Sequence, residues 1–290
     1  MKKDLAKFED WPFKVPSIKN VIRNLDALTS QLKNASTQIE ALKVFKKMSR
    51  YSDKINDDFT HIQVLFSLDT TNEKYQKAMN VLNKGLPMVD VSNLSFAKAM
   101  LESKFRPYLE EKLGSHLFQI YEYTTKAFDE RIVEEAQKEN ELVMKYDMAK
   151  SSLKFEFRGK TYNLPQMEQF LVNNDRETRK EAAEVYYGYL ESRSDEFEKI
   201  YDDLVKLRDA MARKLGYKNY VELAYIRMSR FDYDENLVSS YRKQILDVVT
   251  PLTTRLKKDQ FKRLGIKNPK IYDMGVMWTS GNPIPLGNTD

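Results

Sequence analysis

The sequence predicts a mainly α-helical protein with one small β-hairpin, and three observations lead there. Apolar residues recur at three- and four-residue steps through most of the 290 positions, the spacing that lines one face of a helix. Ser, Asp and Asn precede many of these runs and glycines follow several of them, where helix ends need a side-chain acceptor or a left-handed residue. One stretch, 151–164, switches to alternation with a period of two.

Taken in order, residues 1–16 form an arm closed by Pro12 and Pro16. Ser17 then caps a helix with Ile18, Val21, Ile22, Leu25, Leu28 and Leu32 on one face. A second helical run carries Ile39, Leu42, Phe45 and Met48, continuing through Tyr51, Ile55, Phe59, Ile62, Leu65 and Phe66. Thr70-Thr71-Asn72 interrupts the pattern, and Tyr75, Met79, Leu82 and Leu86 open a third run that Pro87 is expected to bend. Further helices fill Leu94 to Met148, broken at Pro107 and Gly114, with Ser115 as the expected cap of the one holding His116, Ile120, Tyr123 and Ala127. No fixed-period repeat is present, which argues against a solenoid.

In 151–164, Leu153, Phe155 and Phe157 alternate with Lys154, Glu156 and Arg158, and Gly159 lets the chain return through Thr161, Tyr162 and Leu164 as a hairpin. Further on, Phe197, Ile200, Tyr201, Leu204, Leu207, Met211 and Leu215 form a buried helical stripe, stopped at Gly216 after the cations Arg213 and Lys214. Asn219, with Glu222 three residues on, starts the next helix. Asp232 and Glu235 open the last one, whose expected buried face is Leu237, Tyr241, Ile245, Val248, Leu252 and Leu256. Pro251 within it calls for a kink or a fresh start capped by Thr250. After Gly265 the chain runs on with no following element to pack against.

Composition narrows the classes of function. A hydrophobic fraction of 41% suffices for a sizeable core. The 48 basic and 43 acidic residues are interleaved, without a block of like charge. The net charge of +5 is therefore a matter of solvated helix faces and not of nucleic-acid binding. The absence of cysteine excludes disulfides, thiolate metal sites and a cysteine nucleophile. Charges interrupt MKKDLAKFEDWPF before an apolar run of signal-peptide length, and no stretch approaches the ~20 residues that span a bilayer. A cytoplasmic protein with neither nucleic-acid nor membrane partners is expected.

The segment LVKLRDAMARKLGYKNYVELAYIRMSRFDY, the helix start Asp175-Arg176-Glu177-Thr178-Arg179 and the tail Ser280-Gly281-Asn282-Pro283 resemble the oligoendopeptidase F family. These are zinc metallopeptidases of the thimet-oligopeptidase type. The resemblance runs over nearly the whole chain and implies the N-terminal half of a zincin-like oligopeptidase. It implies a helical region at 1–150, a hairpin and short helix at 151–175, and the start of the catalytic domain at 176–290. In that family the zinc sits on a His-Glu-x-x-His helix, two imidazoles one turn apart with the glutamate as general base. That motif is absent here: His61 and His116 are the two histidines, far apart in sequence. Asp57 stands four residues before His61 as a possible ion-pair partner.

The resemblance therefore implies zinc in the complete family enzyme, none bound by this chain alone, and no catalytic or metal-binding residue among these positions. Its partners would be short peptides and a complementary C-terminal half. The alternative is a non-catalytic helical module that binds peptides, or one chain of a split peptidase. Tyr225, Arg227, Arg230 and Tyr233, from the pattern Tyr-x-Arg-Met-x-Arg-x-Asp-Tyr, are the candidates for a substrate channel, since arginines there can meet peptide carbonyls or a carboxylate. The same arginines can instead bridge neighbouring helices. Gly159-Lys160-Thr161 is no phosphate loop, because it sits at a hairpin and lacks the earlier glycine.

Overall fold

A computed structural model describes residues 7–283 and Gly287. The first six residues of the expected arm, and residues 284–286 and 288–290 of the tail, lie outside the described residues. In chain order the helices are α1 (Ile18–Lys33), α2 (Gln38–Leu68), α3 (Glu73–Leu101), α4 (Arg106–Leu113), α5 (Ser115–Ala127), α6 (Val133–Ser151), α7 (Leu164–Leu171), α8 (Arg176–Ser192), α9 (Ser194–Lys214), α10 (Tyr220–Arg227), α11 (Glu235–Gln244) and α12 (Thr250–Arg263). Strands β1 (Phe155–Phe157) and β2 (Lys160–Tyr162) stand between α6 and α7. Two compact units emerge and are interleaved in sequence. One holds the described residues up to Lys145 together with Asp202–Tyr233, the other Tyr146–Tyr201 together with the described residues from Asp234 onward.

The helix starts follow local chemistry. Ser17, Thr37, Asn72 and Asp175 each accept a backbone N–H of the first turn, a contact worth on the order of 1 kcal/mol. Asn163 and Gln166 form a reciprocal capping box at α7. Ser115 does not cap α5; it is the first helical residue, and Gly114 with φ of 89° precedes it because the chain turns there through a conformation that suits glycine. Asp234, not Asp232, caps α11, accepting from the Leu237 N–H at 3.0 Å. Asn219 accepts from the Val221 N–H, while Glu222 does not complete a capping box.

In the first unit, Val21, Leu25 and Leu32 of α1 pack with Ala41, Val44 and Met48 of α2 and with Val89, Phe96 and Met100 of α3. Leu109 and Phe118 close this core from α4 and α5; each large apolar side chain buried contributes ~1.5–3 kcal/mol. Gly85 sets the approach of α3 to α1, since a Cβ there would fall 2.4 Å from Ile18 Cγ1. Pro87 lies buried within the continuous α3. His61 does not pair with Asp57; it is buried against the rings of Phe8, Trp11 and Phe13.

In the second unit the hairpin has the register Phe155↔Tyr162, Glu156↔Thr161 and Phe157↔Lys160. Arg158 and Gly159 take φ values of 50° and 76°, the pair of left-handed residues that a tight hairpin turn needs. Arg158 tolerates that conformation because its guanidinium is held by Glu181 at 2.7 Å and by the Thr178 hydroxyl at 2.9 Å. Leu153, Phe155 and Phe157 are buried with Met167 and Ala182, as the alternation predicts.

Several expectations for the C-terminal third change. A fresh helix, α12, does start with Pro251 in its first turn, but Thr250 is its first residue and not its cap. Ile245–Val249 forms a π-helical turn and the Thr250 N–H reaches Ile245 O, which accommodates the missing amide and the ring of the proline. The stripe expected to be buried is not covered. Leu237, Tyr241, Val248, Leu252 and Leu256 are 43–67% exposed and Ile245 is half-buried, because no described residue packs over that face. Tyr201 is likewise exposed, although Ile200 and Met211 of the same helix are buried.

The tail, expected to be unpacked, is anchored. Asp273 and Val276 are buried, and Gln260 donates to the carbonyls of Met274 and Val276. Asn282 bridges Gly275 O and Met277 N–H. Backbone carbonyls left free by the irregular chain are thus satisfied from α12 and from the tail itself.

Candidate functional site

The residues singled out in the sequence lie on and after α10. This helix follows α9 through a turn at Gly216, where φ is 91°, the Gly216 N–H reaches Arg213 O, and the Tyr217 N–H reaches Ala212 O. That pair of bonds satisfies the last carbonyls of α9. The same motif ends α10 without a glycine: Ser229 takes φ of 53°, its N–H reaches Ile226 O at 2.9 Å, and the Arg230 N–H reaches Tyr225 O at 3.1 Å. A non-glycine residue in this region costs on the order of 1 kcal/mol, so the neighbouring contacts must hold it. Phe231 supplies one anchor, packing against His116 at 5.0 Å and Tyr123 at 4.5 Å between ring centroids.

The turn sorts the four candidates into two groups. Tyr225, Arg230 and Tyr233 come together: the Arg230 guanidinium lies 4.7 Å from the Tyr225 ring and 5.4 Å from the Tyr233 ring, and the two rings are 6.2 Å apart. Arg227 belongs to another set. It binds Glu139 at 2.7 and 3.3 Å and the Tyr220 hydroxyl at 3.1 Å, and Arg208 binds the same Glu139 at 2.6 Å. Burial works to raise the Glu139 carboxyl, and the guanidinium groups of Arg227 and Arg208 more than reverse that, holding it below the usual carboxylate range. Arg227 therefore ties α10 to α6.

Glu139, Arg208 and Tyr220 were missed in the sequence because a glutamate on a charge-rich helix has no distinguishing spacing. Asp90 was missed as well. Surrounding protein displaces water from it, although the residue keeps exposed surface, and pushes its carboxyl up against the opposing pull of Asn93 and Arg227. This marks Asp90 as a carboxylate near the Arg227 cluster without a matched ion pair.

The described residues do not fit a zinc ion. No group of three or more His, Cys, Asp or Glu side chains is placed to hold a metal. His61 faces aromatic rings, and His116 Nδ1 meets the Gln119 side chain at 3.2 Å. No helix among the described residues is long and apolar enough to cross a membrane.

Residues 8–128 match the family model of the Peptidase M3 N-terminal domain. Over almost its whole length the chain is similar to part of solved peptidases of the oligoendopeptidase F type. It superposes on a structure assigned as oligoendopeptidase F of Bacillus anthracis str. Ames with a TM-score of 0.95 and 32% identity, covering 99% of this chain and 53% of that one. PZ peptidase A, solved with an inhibitor, gives a TM-score of 0.95 and 31% identity, covering 98% of this chain and 50% of that one. The oligoendopeptidase-F of Enterococcus faecium, at 15% identity and a TM-score of 0.68 over 89% of this chain and 55% of that one, shares the fold. This chain thus spans about half the length of the solved peptidases it matches. No curated protein matches it.

Within this chain, the Asp175-Arg176-Glu177-Thr178-Arg179 motif is structural. Asp175 accepts from the Thr178 N–H and hydroxyl at 2.8 and 2.6 Å, and Arg176 and Arg179 both bind Asp273.

Proposed function

We propose that this chain forms the N-terminal part of a zinc-dependent oligoendopeptidase that hydrolyses internal bonds of short peptides. By itself it has no peptidase activity and holds no stoichiometric zinc; the metal ligands, general base and oxyanion donors belong to the remainder of such an enzyme. The observation that carries this is the uncovered apolar face of α11 and α12, with Leu237, Tyr241, Val248, Leu252 and Leu256 all exposed in a chain that spans half its relatives' length. A stripe of that size at helical spacing is built to be covered, which weighs against a self-sufficient peptide-binding module.

The test is an assay of a quenched fluorescent peptide with the purified chain, with and without a chelator, and again after adding the other half of an oligoendopeptidase F. Activity that appears only with the second half supports the proposal. Chelator-sensitive cleavage by the chain alone, in a preparation free of other peptidases, overturns it.

A further inference from the structure

We propose that Arg230, seated between Tyr225 and Tyr233, is a carboxylate-binding site for a short peptide. Other arginines of this unit have carboxylate partners: Arg208 and Arg227 share Glu139, Arg213 meets Asp209, and Arg131 meets Asp129. Arg230 differs. Its contacts among the described residues are the two ring faces, at 4.7 and 5.4 Å, with no carboxylate partner. Contacts with ring faces do not use up the in-plane N–H groups of a guanidinium, and this planar donor edge matches a carboxylate in bidentate geometry.

The position is also preorganised. Ser229 is held left-handed, the Arg230 N–H is fixed to Tyr225 O, and Phe231 is wedged against His116 and Tyr123. The arginine therefore loses little conformational freedom when it binds, and strain at Ser229 is placed where a donor has to be aimed. Tyr225 and Tyr233 shield the cation without discharging it, which strengthens a charge-assisted bond at its open edge.

The choice of a peptide as the bearer of the carboxylate rests on the peptidase reading; the site itself does not. Binding is measured without cleavage, so the two fail separately. The chain is labelled with 15N, and the Arg230 Nε–H signal is followed during titration with three pentapeptides: a free acid lacking acidic side chains, its C-terminal amide, and an amide with an internal Asp. The expected result is a saturable shift with the free acid at least about tenfold tighter than with its plain amide. Followed through the backbone amides of Ser229 and Phe231, which the variants keep, R230Q should remove that preference while leaving the melting temperature unchanged, and R230K should retain charge but bind more weakly. A shift with the internal-Asp amide and none with the free acid assigns the site to side-chain carboxylates. Equal response to acid and plain amide, or no response to any peptide, overturns the proposal.

Discussion

Asp273 and Arg179, 94 positions apart, meet at 3.0 Å with both side chains closed off from solvent. Arg176 adds bonds to the same carboxylate at 3.0 and 2.9 Å, and the Lys270 N–H adds another at 2.9 Å. A buried carboxylate shared by two arginines fastens the irregular tail to the first turn of α8.

Replacing Asp273 by Ala should therefore destabilise the chain by about 3–5 kcal/mol, since Arg179 would be left as a buried, unmatched cation. Urea unfolding measures the loss. Hydrogen exchange should also show the amides around Val276 released. A change below about 1 kcal/mol would mean that the tail is held by its backbone contacts alone.

Acid should weaken the fold through the same groups. Burial tends to raise the Asp273 carboxyl, but Arg176, the Lys270 N–H and Arg179 together hold it low, and Glu139 behaves alike. A carboxylate with a folded pKa below its unfolded value, about 4, contributes stability that is complete above that value. The contribution is lost as pH falls through the folded pKa. The difference in stability between the native chain and a variant carrying both D273N and E139Q, measured by urea titration, should be complete above the unfolded values and shrink below about pH 4.

Arg227 and Arg230 should separate cleanly despite lying three residues apart. Arg227→Gln should cost about 2–4 kcal/mol, because Glu139 is buried and loses its two-pronged partner. Arg230→Gln should change stability by no more than about 0.5 kcal/mol. Thermal melts of the two variants decide this, and equal losses would make both arginines structural.

Polar substitutions on the uncovered face should improve solution behaviour without loss of stability. Leu252→Glu with Leu256→Lys should lower self-association and dye binding to exposed apolar surface, with the unfolding free energy unchanged within about 0.5 kcal/mol. Sedimentation at several concentrations gives the readout. A large loss of stability would show that this face is packed within the chain itself.

Most of the helical architecture was legible in the sequence, because caps and periodicity act over a few residues. Ser17, Asn72, Asp175 and Gly216 do in the structure what their types and positions imply, and the hairpin register follows from the alternation at Leu153, Phe155 and Phe157. The candidate site was half legible. A motif placed Tyr225, Arg227, Arg230 and Tyr233 at one turn, but nothing local could tell which arginine meets a carboxylate, since Glu139 lies 88 positions from Arg227.

By itself the sequence determined where helices start, stop and present apolar faces, for these depend on neighbours along the chain. Tertiary structure alone decided which faces are covered and which charges are paired. Periodicity marks Leu237 to Leu256 as a face to be buried but carries no information on whether anything lies over it. In the same way, Asp273 reads as one of many exposed carboxylates until the fold encloses it with Arg176 and Arg179. Burial and ion pairing are properties of distance in space, and only the folded chain sets those distances.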